Sequence, residues 1–103
     1  MTTIVVLFNL KPGTDVAAYE DWAKTVDLPT VKRLPGCSDF EVLRTTGMLN
    51  GDPSTPYSHV ELIRVADMES FRAAVGTPEM QVVAAQFQAF AQDPLFMVSE
   101  SLE

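Results

Sequence analysis

The sequence predicts an α+β fold, in which a four-stranded antiparallel sheet carries its helices on one face and the elements run β-α-β-β-α-β. Three observations predict it. Four short apolar or alternating runs read as strands. Helical spacing fills the gaps between the first and second and between the third and fourth. A length of 103 residues with 47% hydrophobic side chains gives a single domain, residues 1–103, and one core.

The first strand, Thr3 to Leu10, is apolar on both sides: Ile4, Val6 and Phe8 on one, Val5 and Leu7 on the other. Such a strand is covered on both faces. Lys11-Pro12-Gly13 ends it, and Thr14 or Asp15 caps a helix with the stripe Val16, Tyr19, Ala23 and Val26, Trp22 beside it. Pro29 disfavours helix at Leu28 and breaks the pattern, so a separate helical piece is expected from Thr30 to Leu34, up to the turn Pro35-Gly36. The second strand spans roughly Ser38 to Thr46. A polar, turn-rich stretch from Gly47 to Pro56 reads as a lid-like loop. The third strand is Pro56 to Val65. Asp67 caps a short helix with Met68, Phe71 and Val75, and Thr77-Pro78 opens another with Met80, Val83, Ala84, Phe87 and Phe90. Asp93-Pro94 stops that helix, and Leu95 to Glu100 alternates as the last strand. This order is the ferredoxin-like split βαβ arrangement. Its helices cover one sheet face, yet apolar residues such as Val60 and Leu62 occupy the other. A second copy of the chain is the expected cover, giving a homodimer with two sheets face to face, a dimeric α/β barrel.

Fourteen acids against seven bases give a net charge of −7 with no basic cluster, so nucleic acid and anionic membrane surfaces are poor partners and a small neutral or cationic ligand is expected. No apolar run approaches the roughly 18 residues of a membrane span. The run Ile4 to Phe8 lacks the flanks of a signal peptide, so a cytoplasmic location is expected. Cys37 is the only cysteine and reads as structural, at a strand start after Pro-Gly. One histidine, one cysteine, no Gly-rich phosphate loop and no nucleophile elbow lead to the expectation of no metal and no organic cofactor.

The stretch Thr3-Ile4-Val5-Val6-Leu7-Phe8-Asn9-Leu10-Lys11-Pro12-Gly13 resembles the RedY-like (HapK-type) proteins of the dimeric α/β-barrel superfamily. So do Trp22, Asp27-Leu28-Pro29-Thr30-Val31, the strand from Pro56-Tyr57 to Glu61, Thr77-Pro78-Glu79-Met80 and the run from Phe87 to Phe96. The likeness covers essentially the whole chain. It implies a homodimer without metal or organic cofactor, in bacterial specialised metabolism of the prodigiosin-type pyrrole or related indole-alkaloid kind, at a ring-forming or dehydrating step. The superfamily also holds cofactor-free monooxygenases and polyketide cyclases, so the fold alone does not fix the reaction.

In a strand, Tyr57, His59 and Glu61 share one face, followed there by Ile63 and Val65. Polar groups on a core face either satisfy structural hydrogen bonds or line a cavity where protons move. The candidate catalytic set is His59, Glu61, Asp27 and Tyr57. His59 with Glu61 or Asp27 would divide the acid and base roles of a dehydration or cyclisation, and Tyr57 would donate to developing charge. Asp27, at a helix C-terminus where an acid is unfavourable, gains a usable pKa if it faces the sheet near Trp22. Asn9 is placed to orient a ligand carbonyl or to make a strand-end turn contact. Trp22 and Tyr19 are core residues or stacking platforms for a flat pyrrole or indole. The cavity is expected between helices and sheet, lined by Trp22, Tyr57, His59 and Glu61. A small-molecule carrier without turnover and a cofactor-free monooxygenase are the competing readings.

Overall fold

The computed structural model describes residues 1–103. Strands β1 (Thr2–Leu10), β2 (Cys37–Arg44), β3 (His59–Val65) and β4 (Ala91–Glu100) form one sheet in the order β2-β3-β1-β4, every neighbouring pair antiparallel. Helices α1 (Val16–Trp22), α2 (Leu28–Lys32), α3 (Met68–Val75) and α4 (Pro78–Phe90) complete the ferredoxin-like α+β fold. No helix is long and apolar enough to cross a membrane. The caps follow the local chemistry: Asp15, Asp67 and Thr77 each accept from a backbone N–H of the first helical turn, from Ala17, Ser70 and Met80.

The register defines the two faces. Towards the helices, Phe8 lies opposite His59, Val6 opposite Glu61 and Ile4 opposite Ile63, while Val42 and Phe40 of β2 extend the last two rows. Val6, Phe8, Phe40, Ile63 and Val65 pack there against Tyr19, Ala23 and Val31 and against Phe71, Met80, Val83 and Phe87. On the other face, Val5, Leu7, Val60 and Leu62 form an apolar surface that Leu43 and the β4 residues Leu95 and Met97 widen. The helix layer also stops short of β4: Phe96 and Val98, on the helix side of the sheet, remain 55% and 60% exposed.

Four boundaries differ from expectation. Pro29 does not break the first helix. A π turn over Ala23–Asp27 joins α1 directly to α2, and Pro29 sits in the first turn of α2, where it has no N–H to lose. β3 starts at His59 rather than Pro56, because the chain before it is held by Asn9 and by the hydroxyls of Thr45 and Thr55. β2 ends at Arg44, two residues early. β4 starts at Ala91, directly after α4. An extra residue bulges it between the pairs Asn9–Gln92 and Leu7–Leu95, and Asp93 takes φ +45° there, a conformation Asp tolerates better than most residues.

The turn from Leu34 to Cys37 carries Pro35 and then Gly36 at φ +84°, and the Cys37 N–H closes it on the Leu34 carbonyl at 3.1 Å. A Cβ at Gly36 would lie 2.2 Å from the Asp67 carbonyl oxygen and 2.9 Å from the Phe71 nitrogen. Gly36→Ala is therefore expected to destabilise the protein by about 3 kcal/mol or more, from an excluded backbone conformation and an unavoidable clash together. Urea denaturation measures it, and a loss under about 1 kcal/mol would show that this turn relaxes freely.

Candidate functional site

Tyr19, Ala23, Asp27 and Val31 are buried at intervals of four residues. In a helix of about 3.6 residues per turn such a row drifts around the axis. The wider π turn at Ala23–Asp27 offsets part of that drift and keeps Asp27 facing the sheet. There it comes beside Glu61 of β3, two buried carboxyl groups close enough to influence each other's ionisation. Burial raises Asp27 to about 6. Burial, and then the charge of Asp27, raises Glu61 well above the usual carboxylate range. Two like charges this close and this dry cannot both ionise near neutrality, so the pair holds a shared proton.

Glu61 is 4% exposed, and its Oε2 has no hydrogen-bond partner in the chain. Together with Asp27 it lines a cavity of about 270 Å³ between the sheet and α2, α3 and α4. The rest of the lining is apolar, from Ile4, Phe40, Phe71, Val83 and Phe87 among others, apart from Gln88. This volume lies just under the roughly 300–1,000 Å³ of drug-sized sites, which suits a small ligand.

A second cavity, of about 250 Å³, opens beside the first helix and is lined by Glu20, Ala23, Lys24, Leu28, Val42, Arg44 and His59. Arg44 holds Glu20 through Nε at 2.8 Å and Nη2 at 2.5 Å. Glu20 Oε2 also meets His59 Nε2 at 3.0 Å, and Ser58 Oγ lies 2.9 Å from His59 Nδ1. The hydrogen bonds from Arg44 and then His59 hold Glu20 down at about 2. Tyr19 separates the two groups. It is fully buried, packed edge-on against Phe8, His59 and Phe90, and its hydroxyl has no partner. Burial, with Glu61, Asp27 and Glu20 around it, pushes its phenol far up.

Several expectations are corrected here. His59 and Glu61 share a strand face but not a cavity. Both His59 nitrogens have a partner, Glu20 Oε2 on Nε2 and Ser58 Oγ on Nδ1, and the ring lines the second cavity. Tyr57 lies before β3 and lines neither cavity; its carbonyl accepts from Thr45 and Thr55. Of the two readings of Asn9, the structure shows the turn contact: its amide donates to the Pro56 carbonyl at 3.0 Å and accepts from the Ser58 N–H at 2.9 Å, fastening the loop to β1. Trp22 lines neither cavity; its indole N–H donates to Gln86 at 3.0 Å and its ring leans on Tyr19 and Phe90. The segment Gly47 to Pro56 folds on itself, with Met48 N–H on the Asp52 carbonyl, and contributes to neither cavity. No group of three or more His, Cys, Asp or Glu side chains is placed to hold a metal ion. Sequence reasoning missed Glu20: its position beside Tyr19 gave a weak hint, but its partners lie 24 and 39 residues away.

Fold and site together define a ferredoxin-like domain with acid groups buried between helices and sheet. The chain belongs to the family described as REDY-like protein HapK, which matches residues 2–102. It is similar to the crystal structure of HapK from Hahella chejuensis, at 29% identity over 99% of this chain and 93% of that one, TM-score 0.78. SnoaB, a cofactor-independent oxygenase from Streptomyces nogalater, shares the fold at 20% identity and TM-score 0.74, over 99% of this chain and 93% of its own. So does a dimeric ferredoxin-like protein of unknown function from Thermobifida fusca, at 13% identity and TM-score 0.73, over 97% and 90%. No protein of curated function matches the sequence.

Proposed function

We propose that this protein is a cofactor-independent dehydratase or cyclase acting on a small pyrrole- or indole-type intermediate of bacterial specialised metabolism, of the prodigiosin-like or a related alkaloid kind. Membership of the HapK family supports the setting. The observation that carries the chemistry is the juxtaposition of two buried carboxyl groups, Asp27 and Glu61, in the lining of an otherwise mostly apolar cavity, where burial favours retention of a proton. Dehydrating a heteroaryl carbinol needs an acid and a base at once. Glu61 gives its proton to the leaving hydroxyl as the C–O bond breaks. Asp27 takes a proton from the ring nitrogen or the adjacent carbon, and the electron pair of that bond forms the new double bond. Water leaves, and the proton returns from Asp27 to Glu61 beside it. The pair resets itself without solvent.

Indole-3-carbinol and a pyrrole-2-carbinol are suitable trial substrates, with water loss followed by absorbance and product mass. Multiple turnovers, no oxygen uptake and a rate dependent on Glu61 are expected. Stoichiometric binding without turnover would show a carrier, and oxygen consumption a monooxygenase.

We also propose that the working form is a homodimer closed over the sheet face that carries Val5, Leu7, Val60 and Leu62. The dimeric neighbour of the same fold supports this, as does the size of the apolar surface, which Leu43, Leu95 and Met97 enlarge. Sedimentation at micromolar concentration is expected to give twice the 11.3 kDa chain mass, and Leu62→Asp to give monomer. A wild-type monomer would refute the assembly.

A further inference from the structure

We propose that the cavity closed by Asp27 and Glu61 selects a cationic ligand head, an amidinium or protonated amine on a compact apolar body, and rejects the matching carboxylate. The inference rests on the reading of that pair as the proton-sharing centre of the site, and it adds the charge of the group the pair receives.

The charge census of the cavity carries it. Its lining contains two acids, one neutral amide (Gln88) and otherwise apolar side chains. All seven lysines and arginines of the chain lie elsewhere, and the two nearest the first helix, Lys24 and Arg44, line the other cavity. The titratable groups at the pair are Asp27 on the π turn, Glu61 on β3 and, beside them, the Tyr19 phenol of α1; Glu20 is taken up by Arg44 and His59. His59, the one basic group on the same strand face, is held by Glu20 on the far side of Tyr19. From α3 and α4 no charge reaches the cavity.

The second observation is the orphaned Glu61 Oε2. A buried acceptor without a partner costs roughly 1–3 kcal/mol, and a donor arriving from a ligand removes that cost. An amidinium presents two N–H donors and a positive charge to it, and each is strengthened in so dry a setting. Its arrival favours the ionised form of the pair, so binding near pH 7 expels the proton the carbinol reaction uses, and such a cation occupies the site as a competing ligand. A carboxylate meets two acids there and no cation.

Benzamidine, benzamide and benzoate share one ring and differ in the head. Titration calorimetry at pH 7 is expected to show benzamidine binding at least tenfold tighter than benzamide, and benzoate not at all. The benzamidine enthalpy is expected to differ between phosphate and Tris buffers, which reports the released proton in the wild-type protein alone. Glu61→Gln is expected to weaken benzamidine at least tenfold and benzamide less than threefold. Asp27→Asn serves in its place if the Gln variant does not fold. Equal affinity for benzamidine and benzamide, a buffer-independent enthalpy, or benzoate binding would overturn the proposal. Cation selectivity without any carbinol turnover would leave this inference standing and refute the enzymatic reading; turnover without selectivity would do the reverse.

Discussion

Glu61→Gln is expected to slow dehydration of a heteroaryl carbinol by about 10²–10⁴-fold, the usual contribution of a positioned acid or base. Gln keeps the shape and can donate an N–H to the Asp27 carboxylate, but it has no proton to hand to a leaving hydroxyl. The loss therefore falls in kcat, while KM changes little. The pH profile gives an independent check. Turnover needs the pair with one proton, so it falls on the acid side as Asp27 gains a proton near pH 6, and on the alkaline side as Glu61 loses its own. Asp27→Asn removes the base, so it should slow turnover strongly and leave the residual rate without the acid limb. His59→Gln serves as the contrast: it weakens the hold on Glu20 and lowers stability, and activity should fall only with the folded fraction. A Glu61→Gln rate within a few-fold of wild type, or a profile flat between pH 5 and 8, would remove the carboxyl pair from the mechanism.

The second large effect is on stability. Asp27 has a raised native value, so between the unfolded carboxylate value near 4 and about 6 the native state holds a proton that the unfolded chain has released. Stability then falls as pH rises through that window, and Glu61, raised further, continues the fall above it. Below about pH 4 both states are protonated and the penalty vanishes. A shift of about two units on a group this buried corresponds to about 3 kcal/mol. Glu20 has the opposite sign: its depressed value contributes stability that is present above about 4.5 and lost as pH falls towards 2. The two together place the stability maximum in the mildly acidic range. Urea denaturation at fixed protein concentration is expected to show wild type losing at least about 1 kcal/mol from pH 5 to pH 8, the part Asp27 alone supplies, with Glu61 adding to it. Glu61→Gln should lose less, because the Glu61 carboxyl that sheds its proton in the wild type is gone, while burial still raises Asp27. Parallel curves for the two proteins would mean that the pair does not share a proton in the folded state.

Much of this fold is legible in local sequence. Caps such as Asp67 and Thr77, the Pro35-Gly36 turn and the doubly apolar first strand act through residues a few positions apart, so their reading survives folding. The errors cluster where a distant segment intervenes. The alternation Tyr57, His59, Glu61 is real as a pattern, but Asn9, 49 residues before its end at Ser58, fastens the chain and delays the strand to His59. Pro29 is a helix breaker by its own chemistry, yet packing of Tyr19, Ala23 and Val31 on the sheet favours a continuous helix and places the irregularity before the proline.

The sequence by itself determined the element order, the helix starts, the second apolar sheet face and the presence of acids where core was expected. Periodicity and capping are one-dimensional signals, and they suffice for these. Only the tertiary structure decided which acids meet. His59 stands nearest Glu61 in sequence but is drawn to Glu20, whereas Asp27, 34 residues earlier, becomes its partner because a π turn aims it at β3. Pairing of that kind depends on helix phase and sheet register across a packed interface, and no spacing along the chain encodes it.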